Sequence, residues 1–375
     1  MRRCDSYAPV FAGSSRIPPP RGDRGDEARG PERAREQTKA LRPRDADGGN
    51  CSVFSASVGT VLDKRLIFVT GKGGVGKSTV AIALGLLAAR RGLRTIVAEL
   101  SSQERVQRTL EHESQNSREV EVSPGLFAIS IDPQHAMEEY LAIKVGGAFG
   151  HVLSSSRLFH TFAMATPGLR ELLSIGKVWE LAQLERRSRG ASPYDFVVVD
   201  APATGHGVGI LRTPRTFADI ARVGPIAHQG RQIAATIADR DFTGVVAVAT
   251  PEEMPVNETI ELHDLLVRDG LDLDAVIVNA LYPDRFEPEE IGELEAALVK
   301  SRSPLARSAL RAALSERARA CRQREQVDRL REGLASQVLE LPYLFADELG
   351  RGELRTLTDA LELGLAETEL SVRPR

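Results

Sequence analysis

A short apolar strand that runs directly into a glycine-rich loop constrains the fold of this chain more than any other feature. Residues 66–79 have the sequence Leu-Ile-Phe-Val-Thr-Gly-Lys-Gly-Gly-Val-Gly-Lys-Ser-Thr. The positions from Gly71 to Ser78 follow the spacing G-x-x-x-x-G-K-S, which is typical of a phosphate-binding loop between a buried strand and a helix. Residues 79–91 are rich in Ala and Leu, as that helix requires. The pattern predicts an α/β fold that binds a nucleoside triphosphate.

Each residue type in the loop has a physical role in binding phosphate. Glycines let the backbone turn tightly, so that successive N–H groups point at phosphate oxygens, and the following helix adds its positive N-terminal end. Lys77 supplies a compact charge for the β and γ phosphates, and the Ser78 hydroxyl is predicted to bind Mg²⁺. The predicted cofactors are therefore ATP and Mg²⁺. The predicted nucleotide-binding residues of the loop are Gly71, Gly73, Gly74, Val75, Gly76, Lys77, Ser78 and Thr79.

A second lysine, Lys72, directly follows the first glycine of the loop. The run Lys-Gly-Gly-Val-Gly-Lys-Ser-Thr resembles the deviant P-loop (deviant Walker A motif) of the ATPases related to septum-positioning proteins and nitrogenase iron proteins. The resemblance implies that two subunits face each other across their nucleotides and that Lys72 reaches the phosphates bound by the partner. The chain has only 7 lysines against 42 arginines, yet two of the seven lie in this loop. The alternative for Lys72 is a solvated loop charge.

The rest of the chain alternates short apolar runs with helical patterns. This alternation predicts a doubly wound, mainly parallel sheet, with the nucleotide at the carboxyl ends of the strands. Residues 134–190 and 206–240 have helix-like spacing and predict an inserted helical subdomain; residues 287–333 are also predicted to be helical. The predicted strands are Leu66–Thr70, Thr95–Leu100, Leu126–Ile131, Phe196–Asp200, Val245–Thr250, Ala275–Asn279 and Val338–Leu341.

Residues 1–60 differ in composition from the remainder of the chain. They contain three consecutive prolines at 18–20 and almost no apolar periodicity, so they cannot bury enough apolar surface to offset the entropy of ordering. We expect a disordered tail over 1–60 and an ATPase domain over 61–375. We also expect the functional chain to start near Val61 rather than at Met1.

Charge and cysteine usage exclude several classes of partner. The net charge is −3 and there is no long apolar run, so the sequence predicts neither a nucleic-acid partner nor a transmembrane segment of its own. The three cysteines are scattered, without a C-x-x-C pair, which favours a reducing, cytoplasmic location. Any membrane association is expected to be peripheral, through a partner.

A strand that ends in an acid supplies the next candidate. Residues 194–200 place Asp200 at a strand tip, where its carboxylate is predicted to hold the Mg²⁺ water shell. Residues 200–206, Asp-Ala-Pro-Ala-Thr-Gly-His, resemble the D-T-A-P-T-G-H switch of the arsenical pump-driving and tail-anchored-protein-targeting ATPases. Further matches to this family lie at Pro167-Gly168, at 249–259, at Val278-Asn279 and at Leu341-Pro342.

The family resemblance carries further implications. It implies that Asn279 and the Pro342 turn flank the adenine base, and that residues 200–212 change conformation with the γ-phosphate. It also places His206 in this switch rather than at the attacking water. Together with the loop, it makes Lys72, Lys77 and Asp200 the predicted catalytic residues, with Ser78 and Asp200 as the metal site.

One departure from the family concerns the attacking water. The family's first switch commonly has T-D-P-A-H, whereas here Ser101 stands where that aspartate falls. Serine is a poor general base at neutral pH, so hydrolysis is expected to be slow, or another group acts. Glu99 is the obvious substitute, and burial against the sheet is its alternative. The run Glu-Leu-Ser-Ser-Gln over 99–103 resembles paired actinobacterial members of the family, in which two related ATPases work together.

The sequence predicts a Mg-ATP-dependent dimeric ATPase, either a homodimer or a heterodimer with a related ATPase. In one hypothesis its closure couples hydrolysis to a membrane-transport or protein-targeting partner; in the other it is a slow nucleotide-gated interaction protein that pairs with a sister ATPase. Arsenite pumping is disfavoured, because only Cys321 lies outside the tail. For a hydrophobic client, Met137, Met164 and the apolar residues within 146–175 are candidates, with ordinary helix packing as the alternative.

Overall fold

The computed structural model describes residues 61–100, 104–112, 118–144, 168–186, 191–202, 207–221 and 225–372. The predicted tail over 1–60, Ser101 of the first switch and residues 203–206 of the second lie outside these ranges. The strands are β1 Leu66–Thr70, β2 Thr95–Glu99, β3 Val120–Ser123, β4 Leu126–Ser130, β5 Phe196–Asp200, β6 Thr243–Ala249, β7 Ala275–Leu281 and β8 Gln337–Pro342.

A 3₁₀ turn at Val61–Asp63 precedes the first strand. The helices are α1 Lys77–Arg90, α2 Arg105–Thr109, α3 Pro133–Lys144, α4 Leu169–Leu181, α5 Gly207–Ala221, α6 Pro225–Ala238, α7 Glu253–Arg268, α8 Pro288–Lys300, α9 Pro304–Gly333 and α10 Arg351–Val372. Among the described helices, none is both long enough and apolar enough to cross a membrane.

The eight strands form a single sheet in the order β3-β4-β2-β5-β1-β6-β7-β8. Within the described sheet β3 runs antiparallel to β4, and the other pairings are parallel. This arrangement confirms the predicted doubly wound, mainly parallel sheet. Strand β1 lies between β5 and β6, so the loop that follows β1 emerges near the middle of the carboxyl edge, where such sheets bind ligands.

Alternating residues of the strands supply two apolar layers, one on each face of the sheet. Leu66 and Phe68 of β1 belong to the layer covered by α4, α5, α6, α7 and α9, whereas Ile67 and Val69 belong to the layer covered by α1 and α10. Helix α1 is buried on most sides because it lies between the sheet and α10. Burial on both faces explains why the strands appear in the sequence as continuous apolar runs.

The structure contains the predicted strands and helices, with small differences at their ends. Each of the seven predicted strands is present within two residues of its expected bounds; β3 was not predicted, because Val-Glu-Val-Ser is a half-polar edge strand with little apolar signal. Helices α4, α5 and α6 fall within the two regions predicted as helical, and α3 begins one residue before the first of them. Met137 and Leu172 pack in the core, as ordinary helix packing requires, while Met164 lies outside the described residues.

Helices α8 and α9 follow β7 and precede β8 in the chain, and they form an antiparallel pair. Every residue of 288–319 is described, and none of them is buried; the first buried residue of α9 is Ala320. We call residues 288–319, which comprise α8, the turn and the first half of α9, the arm.

Candidate functional site

The predicted phosphate-binding loop lies at the carboxyl edge of the sheet, between β1 and α1. Helix α1 begins at Lys77, directly after Gly76, whose backbone is left-handed. No side chain of the described residues caps this helix, so its first N–H groups remain available to an anion.

The backbone conformation of the loop requires glycine at two positions. Gly71 has φ +141°, and a Cβ there would lie 2.2 Å from the carbonyl oxygen of Val248 on β6. Gly76 has φ +93°, and a Cβ there would lie 2.3 Å from Nδ2 of Asn279. Only glycine meets both the backbone angle and the close approach at these positions.

Four polar side chains meet beneath the loop, and we call Lys77, Ser78, Glu99 and Asp200 the inner cluster. Strand pairing sets Glu99, the last residue of β2, directly beside Asp200, the last residue of β5. Glu99 is 2% exposed, and Lys77 and Asp200 are each 6% exposed. The Ser78 side chain hydrogen-bonds the Asp200 carboxylate. The cluster therefore holds two carboxylates and one ammonium almost out of contact with water.

Burial shifts the acid–base behaviour of this cluster. Burial raises the pKa of Asp200 to about 6, and the neighbouring charge of Glu99 acts in the same direction; the Ser78 hydrogen bond and the charges of Lys77 and Arg105 oppose the rise. Burial also lowers the pKa of Lys77, which Asp200 opposes. An acid whose charged form is disfavoured by burial and by a second carboxylate gains from a nearby cation.

Arg105, the first residue of α2, completes the surroundings of the inner cluster. Its backbone N–H donates to Oε2 of Glu99 at 2.8 Å, which fixes the carboxylate at the strand tip. Glu99 is buried and lies beside Asp200 in the inner cluster, so its burial does not exclude the predicted role as the substitute base. Sequence analysis did not single out Arg105, because it belongs to no motif.

The second lysine of the loop has different neighbours. Lys72 donates through Nζ to Oε1 of Glu258 on α7 at 2.6 Å and also contacts Sδ of Met254. We call Lys72, Met254 and Glu258 the outer cluster. All three side chains are substantially exposed. The backbone carbonyl of Lys72 accepts a hydrogen bond from Lys77 Nζ at 2.8 Å, which links the two clusters.

The residues predicted to flank the base lie on the neighbouring strands. Asn279 on β7 donates through Nδ2 to the carbonyl oxygen of Val75 at 3.0 Å, so it supports the loop directly. Pro342 ends β8, and the next residue, Tyr343, stacks on Tyr282 at 4.6 Å between ring centroids. Phe345 packs edge-on against both rings. Sequence analysis did not single out these aromatics, since they are scattered in sequence.

These residues fit a magnesium nucleotide. The uncapped start of α1 and the glycine-rich backbone of the loop can present N–H groups to phosphate. Ser78 and Asp200 offer oxygen ligands of the kind that Mg²⁺ prefers. Mg²⁺, when bound, would neutralise phosphate charge. Among the described residues no group of three or more His, Cys, Asp or Glu could hold a metal ion. A cation at Ser78 and Asp200 would therefore share phosphate oxygens and water.

Comparison with known proteins gives consistent matches. The family model described as anion-transporting ATPase matches residues 64–224 and 219–296. The chain is 30% identical over 249 residues to ATPase BagA of Mycobacterium tuberculosis, covering 63% of this chain and 72% of the relative. It is 25% identical over 265 residues to an arsenical pump-driving ATPase of Escherichia coli, covering 67% and 44%. It is 24% identical over 262 residues to ATPase GET3 of Podospora anserina, covering 59% and 75%.

Proposed function

Since this chain belongs to the anion-transporting ATPase family, we propose that it is a Mg²⁺-dependent ATPase that acts as a dimer. The observation that carries this proposal is the inner cluster: a buried carboxylate bonded to the loop serine, beside a buried lysine at an uncapped helix start. The proposal includes the division of the chain into a tail over 1–60 and an ATPase domain over 61–375.

Each member of the inner cluster has a task in this proposal. Lys77 leaves the carbonyl of Lys72 and balances phosphate charge, for which a buried ammonium is well suited. Ser78 and Asp200 hold the cation. Glu99 takes over water orientation from the family's first-switch aspartate, since Ser101 is a poor base. Because the Glu99 carboxylate is already held by Arg105, we propose that turnover is slow.

The outer cluster supplies the proposed coupling to a second subunit. In a single chain Lys72 is held by Glu258; in the dimer it exchanges this partner for the phosphates bound across the interface. An exposed ion pair is a weak restraint, worth up to about 1 kcal/mol. The exchange therefore costs little, so nucleotide on the partner is sufficient to drive it.

The dimer is proposed to act in the cytoplasm with a membrane-transport or protein-targeting partner. Two relatives carry names that point in these directions, an arsenical pump-driving ATPase and ATPase GET3. Arsenite itself is a poor candidate for cargo, because one cysteine lies outside the tail. The second candidate is a slow, nucleotide-gated interaction protein that pairs with a sister ATPase, which the replacement of the first-switch aspartate by Ser101 favours.

Replacement of Lys77 tests the ATPase assignment. We expect Lys77→Ala to lower phosphate release by about a thousandfold or more, because the phosphates lose their main counter-charge. The matched control is Lys300→Ala, which removes an exposed lysine at the end of α8. Full phosphate release by Lys77→Ala, measured beside fluorescent-ATP binding, would overturn the whole assignment.

Replacement of Lys72 tests the cross-subunit role. We expect Lys72→Ala to bind fluorescent ATP within about threefold of the wild type, since an exposed charge adds little affinity. Its ATP-dependent dimerisation and turnover should be lost. Equal loss of binding and turnover would show that Lys72 serves its own nucleotide instead.

A further inference from the structure

The arm differs from the other long helices of the described residues, because none of its side chains is buried in the core. Helix α8 contains no buried residue, and α9 contains none before Ala320. An isolated pair of short helices is marginal in water, since most helical stability comes from packing of an apolar face. The arm therefore lacks the burial that normally stabilises such helices.

The arm projects beyond the nucleotide edge of the sheet. Helix α9 has 30 residues and β8 has six, so the helix is about 45 Å long against about 20 Å for the strand. Oε1 of Gln323 accepts from the backbone N–H of Tyr282, just past the end of β7, at 2.8 Å. Residues 304–319 therefore lie beyond the carboxyl edge, over a length of about 24 Å.

The apolar side chains of the arm are incompletely covered. One seam between the two helices is half-buried, and it consists of Ile291, Leu294, Leu298, Leu310 and Leu314. At the tip, Val299 is 82% exposed and Leu305 is 81% exposed. Contact with a further surface would remove this apolar area from water, which is favourable.

The two helices of the arm carry opposite charges. Helix α8 has four glutamates and one lysine, whereas residues 304–319 of α9 have four arginines and one glutamate. Within 288–319, all of it described, no ion pair joins a glutamate of α8 to an arginine of α9. Arg317 pairs instead with Asp284, and Glu316 with Arg285, both at the base of the arm. The glutamates of α8 and Arg311 of α9 are exposed, whereas Arg307 donates to the carbonyl oxygen of Ser301 and Arg319 to the hydroxyl of Tyr282.

We propose that the arms of two copies of this chain pack together as a four-helix bundle. Each acidic α8 lies beside the basic α9 of the other copy, so that every helix has oppositely charged, antiparallel neighbours. A surface that carries both complementary halves can pair with itself about a two-fold axis, and short antiparallel hairpins are the usual components of such bundles. This contact is independent of nucleotide and is separate from the proposed ATPase dimer.

Paired charge reversals test the bundle in the full-length chain without nucleotide. Glu289→Lys with Glu293→Lys makes both helices basic; Arg307→Glu with Arg311→Glu makes both acidic. We expect the wild type to sediment as a dimer and each double variant to dissociate, with the dissociation constant raised about tenfold or more. An equimolar mixture of the two double variants should restore the dimer, because both helix contacts are then complementary.

The mixture also shows that the variants fold, since an unfolded arm cannot restore association. Glu367→Lys and Arg355→Glu on α10 are the matched reversals outside the arm and should leave the dimer intact. A wild type that dimerises only with ATP, double variants as dimeric as the wild type, or a mixture that stays monomeric would each overturn the bundle. None of these outcomes touches the Lys77→Ala test of ATPase function, so the two proposals fail separately.

Discussion

The inner and outer clusters originate from one loop but differ in almost every physical respect. Lys77 and Lys72 are only five residues apart. Lys77 is buried beside two carboxylates at strand ends, whereas Lys72 is exposed and forms an ion pair with Glu258 of α7, a helix distant in sequence. In the inner cluster burial disfavours the charged form of Asp200 and raises its pKa. In the outer cluster water screens both partners of the ion pair.

This difference separates two tasks. A buried site that disfavours its own charges has much to gain from a ligand that balances them, so the inner cluster suits binding and chemistry. An exposed ion pair can be exchanged at small cost, so the outer cluster suits a contact that must be made and released. Three replacements sharpen the comparison.

The largest effect is expected inside the inner cluster. Asp200 has a pKa of about 6 in the folded chain against 3.8 as its ordinary value, so the native state holds its proton to higher pH than the unfolded state does. Stability contributed by this group is therefore lost as pH rises from about 4 to about 6. Without metal or nucleotide, Asp200→Asn should raise the free energy of unfolding at pH 7.5 by about 2–3 kcal/mol.

Chemical denaturation at two pH values checks this expectation. The gain should vanish near pH 3, below the ordinary pKa of 3.8, where the wild-type carboxyl is mostly protonated in both states, while Mg-dependent turnover at pH 7.5 should fall about a hundredfold. Asp195→Asn, at the exposed residue directly before β5, is the control. A loss of stability at pH 7.5 would contradict the burial argument.

A smaller effect is expected at the contact that joins the loop to β7. Asn279→Ala removes the bond to the Val75 carbonyl, which is worth about 1 kcal/mol, so ATP affinity should fall about fivefold. Asn279→Asp should be worse, because a carboxylate would face the carbonyl oxygen. Calorimetric titration measures both, with Gln183→Ala as the control, since its amide likewise donates to a backbone carbonyl, that of Trp179; unchanged affinity in Asn279→Ala would remove Asn279 from the site.

The smallest effect is expected in the outer cluster. Glu258→Gln frees Lys72 and should leave the free energy of unfolding within about 1 kcal/mol of the wild type. It should tighten ATP-dependent dimerisation about two- to fivefold, since the lysine no longer has to leave a carboxylate. Glu261→Gln, one turn away and without an ion pair among the described residues, is the control in sedimentation experiments. Weaker dimerisation would show that Glu258 itself contacts the partner.

The sequence predicted the parts of the fold that depend on local chemistry. Buried parallel strands appear as apolar runs, so β1, β2, β5 and β7 were found, and the glycine spacing located the loop. Strand β3 was missed, because an edge strand needs only half of the apolar pattern. The region 287–333 was predicted to be helical, but helical spacing does not say whether a helix is covered.

The candidate site was predictable where a motif fixes the spacing. Ser78 and Asp200 were paired because a strand-end acid follows a phosphate loop, and the structure brings the two side chains into contact. Glu258 and Arg105 contact loop and cluster residues from positions that only the tertiary fold brings close. Contacts between residues distant in sequence produce no local pattern in a single sequence, so the ion pair of Lys72 with Glu258 could not be predicted.

The great length of α9 has a mechanical consequence. Near its far end Arg329 donates through Nη2 to Oδ1 of Asn257 at 2.7 Å, and Asn257 adjoins Glu258 on α7. From Arg329 to Pro304 the helix spans 25 residues, or about 37 Å. The C-terminal part of the helix is thus packed in the core beside α7, and its N-terminal part extends away from the core. A tilt of about 5° where the helix leaves the core, near Ala320, therefore moves its tip at Pro304 by about 2 Å, so a small rotation of the packed part becomes a displacement larger than a C–C bond.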